Sequence, residues 1–187
     1  MKGTRTMDAI KITTPFDDQA VAKLQAGQEV LLSGVVYTAR DAAHKRLCAL
    51  LDKGEGLPVD LRGQVLYFVG PTPAKPGHVI GSAGPTTSYR MDAYSPQLIA
   101  QAGLKGMIGK GGRGQNVIDA MVKHKCVYFA ATGGAAALIA QRIVSCEVVC
   151  YPDLGPEAIH RLVVVDFPLI VATDAAGRDL YRLEARS

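Results

Sequence analysis

A chain of 187 residues is long enough to bury one substantial core and leaves little room for a second, so one domain over residues 1–187 is expected. Apolar residues make up 48% and charged residues 20%, which excludes a disordered chain, and no apolar run approaches the roughly 18 to 20 residues of a membrane span. The net charge is +4, but the 21 Lys and Arg are scattered and aromatics are only 6%, so neither a nucleic acid nor a membrane is the expected partner.

The N-terminal stretch MKGTRTMDAIKITTPF lacks the apolar core of a secretory signal, so the expected compartment is the cytoplasm, where thiols stay reduced. EVLLSGVVYTA, residues 29–39, is rich in β-branched residues and reads as a strand; DAAHKRLCALLDKG follows with helical apolar spacing and stops at Gly54. GQVLYFVG and HVIGSAG read as two short strands joined by the turn-rich PTPAKPG. SPQLIAQAG reads as a helix with Ser95 as N-cap, Pro96 at its first position and Gly103 as C-cap. LKGMIGKGG is a strand running into a glycine loop, QNVIDAMVKHK a helix with Val117, Ile118, Met121 and Val122 on one face, and CVYFAAT a buried strand. GGAAALIAQRI gives another helix, VSCEVVCY and RLVVVDFPLIVATD give strands, and DAAGRDLYRLE reads as a hairpin return with Gly177 in the turn. The alternation predicts an α/β fold with a mixed, largely parallel sheet flanked by helices.

The four cysteines read as core thiols. Cys146 and Cys150 share a strand, where four residues at about 3.3 Å each put them roughly 13 Å apart, too far for one metal or one disulfide. Cys48 lies on the apolar face of a helix and Cys126 opens a strand.

Three loops could carry chemistry. IGKGGRGQ places Gly109, Gly111 and Gly114 at G-x-G-x-x-G spacing between a strand and a helix. A dinucleotide site then needs an acid at the end of the next strand, and CVYFAAT ends in Thr132 followed by Gly133 and Gly134. A phosphate-binding P-loop fails as well, because Leu104 stands five residues before Gly109 and Gly111 follows Lys110 where Ser or Thr would hold magnesium. What survives is a loop whose amides and one ammonium can approach an anion, although a flexible turn with a solvated lysine fits the same stretch. TARDAAHKR puts Arg40 at a strand end, with His44 four residues on, and reads equally as the exposed start of a helix. In GPTTSYRMD, Gly84 and Pro85 fix a tight turn presenting Thr86 and Thr87, and Arg90 offers a planar fork suited to a carboxylate; a capped loop explains the stretch as well. Each loop follows a strand and offers one cation, so Arg40, Arg90 and Lys110 can converge on a doubly charged small acid.

TARDAAHKR, VGPTPAKPGHVIGSAGPTTSYRMD and GMIGKGG, in that order and with similar spacing, closely resemble the β subunit, or C-terminal region, of class I iron-sulfur fumarases and the related L-tartrate dehydratases, over nearly the whole chain. The resemblance implies a swivelling β/β/α domain and a partner α subunit, in an α2β2 assembly, that carries a [4Fe-4S] cluster in its own cysteines, with no metal ligand on this chain. It implies a C4-dicarboxylate substrate and reversible hydration of fumarate to L-malate, with L-tartrate dehydration or mesaconate hydration as the alternative. A non-catalytic anion-binding or assembly module that has kept the fold is a reading from a different class. Carried onto this sequence, the family's substrate-binding residues fall on Arg40, Arg90 and Lys110 and its proton-abstracting threonine on Thr86, with Asp41, His44, Thr87, Gly109 and Gly111 in support.

Overall fold

The centre of the fold is a set of strands buried on both faces. In the computed structural model, which describes residues 9–131 and 136–184, β1 (Ile10–Thr13) pairs in parallel with β2 (Glu29–Thr38). β2, β3 (Val65–Tyr67), β4 (Gly106–Gly109) and β5 (Val127–Ala131) then run parallel, each beside the next. β7 (Ile159–Thr173) is antiparallel to both β5 and β2, so these five strands close on one another, and β6 (Ile143–Cys150) hangs on β7 as an edge strand.

Side chains alternate across a strand, and here each side meets an apolar layer. Val65, Tyr67 and Val69 join Ile108, Val127 and Phe129 in one cluster with Val30, Leu32 and Val36 of β2 and Leu162 and Val164 of β7. Leu66, Phe68, Met107 and Tyr128 face a second cluster built with the helices α2 (Asp41–Asp52), α3 (Ser95–Ala102) and α4 (Gln115–His124). That double burial is why VLYFV, GMIG and VYFAA read as unbroken apolar runs. α2 buries Ala43, His44, Leu47 and Cys48 and α4 buries Val117, Ile118 and Met121, the stripes of helices lying on a sheet.

Several local expectations are corrected. HVIGSAG does not form a strand, because both edges of β3 are taken by β2 and β4; the segment folds back on itself, with the Thr72 amide donating to the Ser82 carbonyl at 3.0 Å. Ser95 is the first helical residue rather than the N-cap, and its hydroxyl donates to the Met91 carbonyl at 3.0 Å. Val122 is 38% exposed and lies off the buried stripe of α4. The turn at Gly177 forms, with φ +83°, but only Thr173 and Asp179 bridge after it. The chain then enters α6 (Leu180–Glu184), since Thr173 is already paired with Tyr128 and the Asp179 carboxylate accepts the Tyr181 amide at 3.1 Å, as a helix-capping acid does. β1 and the short α1 (Asp18–Ala22) have no counterpart in the sequence reading. Thr132, Gly133 and Gly134 lie outside the described residues; α5 (Ala136–Gln141) follows them. No helix among the described residues is long and apolar enough to cross a membrane.

Candidate active site

β2, β3 and β4 are neighbours and parallel, so the residues that follow them emerge along one rim of the sheet. Arg40 comes two residues after β2 and Lys110 directly after β4, and β3 lies between, which sets their backbones roughly 10 Å apart. The Thr86 loop fills the interval: the Thr86 amide donates to the Phe68 carbonyl, just beyond β3, at 2.7 Å. The buried Tyr67 hydroxyl donates to the Ala83 carbonyl, so the chain is also pinned directly ahead of the Gly84-Pro85 turn. Carboxyl ends of parallel strands are where open α/β sheets present ligand-binding loops.

The Thr86 and Lys110 loops are joined. Thr87 and Lys110 form an isolated parallel bridge, and the Ser88 amide donates to the Lys110 carbonyl at 2.8 Å. Thr87 then opens a single 3-10 turn, Ser88–Met91, that turns Arg90 outward. Gly109 is required at the end of β4, because a Cβ there would fall on the Ser88 hydroxyl. Gly111 is required for a different reason, a φ of +84°.

Arg90 reaches across to the helix behind Arg40, where one guanidinium nitrogen lies 3.0 Å from an Asp41 carboxylate oxygen. That oxygen is buried, and the contact is an ion pair rather than an aligned hydrogen bond. Arg40 packs against Gly70, where a Cβ would come within 2.7 Å of its terminal nitrogen; its Nε lies 3.9 Å from Glu157 and is likewise buried without a hydrogen bond. Lys110 is exposed and Thr86 half-buried, and no described side chain pairs with the Lys110 ammonium. Arg40, Arg90 and Lys110 therefore stand on the three neighbouring loops of one rim, with Thr86 on the middle one.

His44 lies on α2 beneath Arg40. Its Nδ1 lies 2.8 Å from the Arg40 carbonyl, its ring stands edge-on to Phe68, and full burial holds its pKa down to about 4. Being neutral, it donates from Nδ1 to the carbonyl, and the bare Nε2, which has no partner, is the lone pair left over. His44 thus fixes the backbone that carries Arg40 and is not itself exposed to a ligand.

Sequence reading missed the layer under these loops. Arg113 is 5% exposed and lies between the Phe68 and Tyr128 rings, at 5.2 and 5.1 Å. It donates to Asp92 at 2.7 Å and to the Ser95 hydroxyl at 2.6 Å, and the other Asp92 oxygen accepts the Gly114 amide at 2.7 Å. The only local signal was an arginine caught between glycines directly ahead of an amphipathic helix.

The described residues do not fit an iron-sulfur cluster. No three His, Cys, Asp or Glu side chains among them converge on a metal position. Burial pushes the Cys48 thiol up to about 11 and the Cys126 thiol up to about 12, the wrong direction for thiolate ligands. Cys146 and Cys150 are half-buried on β6, with a register shift between Val148 and Cys150.

Residues 1–183 match the family model described as the fumarase C-terminus. The chain is 44% identical over 152 residues to the aerobic class I fumarate hydratase of Escherichia coli (strain K12), covering 81% of this chain and 28% of that protein. It is 35% identical over 176 residues to fumarate hydratase 2 of Leishmania major, covering 92% of this chain and 31% of that protein. A protein of Methanocaldococcus jannaschii with the provisional name L(+)-tartrate dehydratase subunit beta is 40% identical over 166 residues, which cover 86% of this chain and 85% of that protein. The chain therefore spans under a third of the length of the fumarate hydratases and most of the length of the separate subunit.

Proposed function

Because the chain belongs to the fumarase C-terminus family, we propose that it is the β subunit of a two-subunit hydro-lyase that reversibly hydrates fumarate to L-malate. The observation that carries this reading is the rim of the sheet, where the loops bearing Arg40 and Lys110 flank the one bearing Thr86 and Arg90, and Lys110 has no acid partner among the described side chains. Arg40 and Arg90 hold the two carboxylates of a C4 acid, as planar forks do, and Lys110 adds a compact positive charge. Removing a proton from the carbon beside a carboxylate adds negative charge to that carboxylate, so the same three cations stabilise the product of the step. Thr86 takes that proton on its hydroxyl oxygen; an alcohol is a weak base near neutral pH, and the cationic field lowers the cost of its alkoxide form.

The [4Fe-4S] cluster belongs, in this reading, to the α subunit of an α2β2 complex in the cytoplasm. Residues 1–187 act as one swivelling β/β/α unit that closes its cation rim against that partner. L-Tartrate dehydration is the second reading, favoured by one observation: the relative named as a tartrate dehydratase subunit matches this chain over 85% of its own length.

Co-expression with the α subunit under anaerobic conditions tests the proposal. The pair is expected to turn over fumarate, and the isolated chain to be inactive on every C4 acid. Turnover of tartrate but not fumarate transfers the function to the second reading. A folded pair inactive on fumarate, tartrate and mesaconate leaves only a non-catalytic anion-binding module.

A further inference from the structure

The hydroxyl of Tyr128, on β5, reaches two loops at once. It donates to the Gly111 carbonyl at 2.7 Å, and it lies 2.8 Å from the Ser88 hydroxyl. A phenol has one proton to give, so with that proton on Gly111 the Ser88 hydroxyl must be the donor in the second bond. The Ser88 oxygen in turn accepts the Lys110 amide at 3.0 Å. The bonds thus run in one direction: Lys110 amide to Ser88, Ser88 to Tyr128, Tyr128 to the Gly111 carbonyl. Lys110 is held on both sides, through its own amide and through the carbonyl of the next residue.

The tyrosine is itself immobile. It is fully buried, burial pushes its ionisation well above the usual phenol range, and its ring packs against the Arg113 guanidinium. Its hydroxyl therefore stays a donor. Phe129 and Val127, its neighbours on β5, face the other apolar cluster, so Tyr128 is the β5 side chain that reaches under the loops.

We propose that Tyr128, acting through Ser88, is a positioning residue for Lys110: one buried hydroxyl locks the loop bearing Lys110 in register with the loop bearing Thr86 and Arg90. The lock explains why an exposed lysine on a glycine loop can serve as a defined point charge. Without it, Lys110 itself would be tied to the neighbouring loop through backbone pairing alone, at the Thr87 bridge and the Ser88 amide, while the other ties between the loops, at Asp92, reach only Arg113 and Gly114 beyond it. The catalytic arm of the test rests on the functional reading above, and the exchange arm does not.

Tyr128→Phe keeps the ring and deletes the hydroxyl. In the co-purified complex it is expected to lower kcat/KM about tenfold, mostly through KM, the effect of one buried hydrogen bond. In a Lys110→Met background the same change should cost less than about twofold, whereas in an Arg40→Met background it should keep its full effect, because coupling follows shared contacts. A tenfold loss that persists undiminished in the Lys110→Met background would show that Tyr128 acts on the fold in general, and an unchanged kcat/KM in active complex would remove its role. Hydrogen exchange over residues 109–113 in the same complex decides the lock without reference to turnover. Ser88→Ala and Tyr128→Phe should each speed exchange there about tenfold or more while the Thr86 amide keeps its protection. Unchanged exchange in both variants overturns the proposal, whereas faster exchange in a complex inactive on every C4 acid keeps the lock and overturns the functional reading alone.

Discussion

Arg113 and Arg90 belong to the same pair of joined loops, and they use their charge in opposite ways. Arg113 is buried and spends its donors inside the fold, on Asp92, on Ser95 and on the Met107 sulfur, with an aromatic ring on either side. Arg90 is half-exposed and meets one acid, Asp41, in an ion pair at 3.0 Å. Lys110, a few residues from Arg113 in the chain, has no paired partner among the described side chains. A cation that holds a fold together is recognised by its satisfied geometry. A half-exposed cation with one acid partner, or an exposed one with none, still has donors to offer.

The sharpest break in that comparison is to remove the buried member. Arg113→Met should destabilise the chain by roughly 2 to 4 kcal/mol, because it leaves the partly buried Asp92 carboxylate without its counter-charge and empties the site of a fully buried side chain. Denaturant unfolding measures this, and a stability within about 0.5 kcal/mol of the parent would mean that Asp92 is solvated and the buried layer carries no load. Arg90→Lys should do the reverse. It keeps the charge and loses the fork, so kcat/KM in the complex should fall by the equivalent of roughly 2 to 5 kcal/mol while unfolding is almost unchanged. Near-parent kinetics would make Arg90 a surface residue.

His44 sharpens the contrast through pH. Its folded pKa, about 4, lies below the model-peptide value of 6.5, so between the two the unfolded chain binds a proton that the folded chain refuses. The stability it contributes is therefore complete above pH 6.5 and is lost as pH falls toward 4, by roughly 3 kcal/mol in all. Unfolding free energies measured from pH 7 down to 4 should show this slope in the parent and not in His44→Asn; identical slopes would mean that His44 is not held neutral. The smallest effect is expected from Gly70→Ala. The added Cβ meets the flexible end of Arg40 at 2.7 Å, so the side chain yields, folding survives, and kcat/KM falls about tenfold through a displaced guanidinium. Unchanged kinetics would show that Arg40 works from another position.

The same contrast explains what the sequence disclosed. Arg40 and Lys110 follow strands that are legible as apolar runs, so their placement at strand ends could be read from local pattern; the strand read ahead of Thr86 and Arg90 does not form, and their loop is brought to the rim by the Phe68 carbonyl instead. The parallel order of β2, β3 and β4, which makes the three loops neighbours, is a property of the sheet and not of any window of sequence. Ser88 and Tyr128 are 40 residues apart, and Arg113 and Asp92 are 21 apart; no periodicity predicts such contacts. HVIGSAG has the composition of a strand and fails to become one because β3 offers no free edge. DAAGRDLYRLE discloses its turn at Gly177, and its second half becomes helix once the edge at Thr173 is occupied.

The central claim is the proposal that Thr86, fixed on the Phe68 carbonyl between the loops that carry Arg40 and Lys110, moves the proton. Thr86→Val keeps the branched shape and deletes the oxygen, and Thr86→Ser restores it. In the cluster-loaded complex, exchange of the C3 proton of malate with deuterated solvent reads the step itself, provided that exchange is measurable in the parent. We expect Thr86→Val to slow this exchange by about 10² to 10⁴ with little change in KM and Thr86→Ser to recover part of it. Exchange at the parental rate in a folded, cluster-loaded Thr86→Val complex would contradict the account and move the base to another residue.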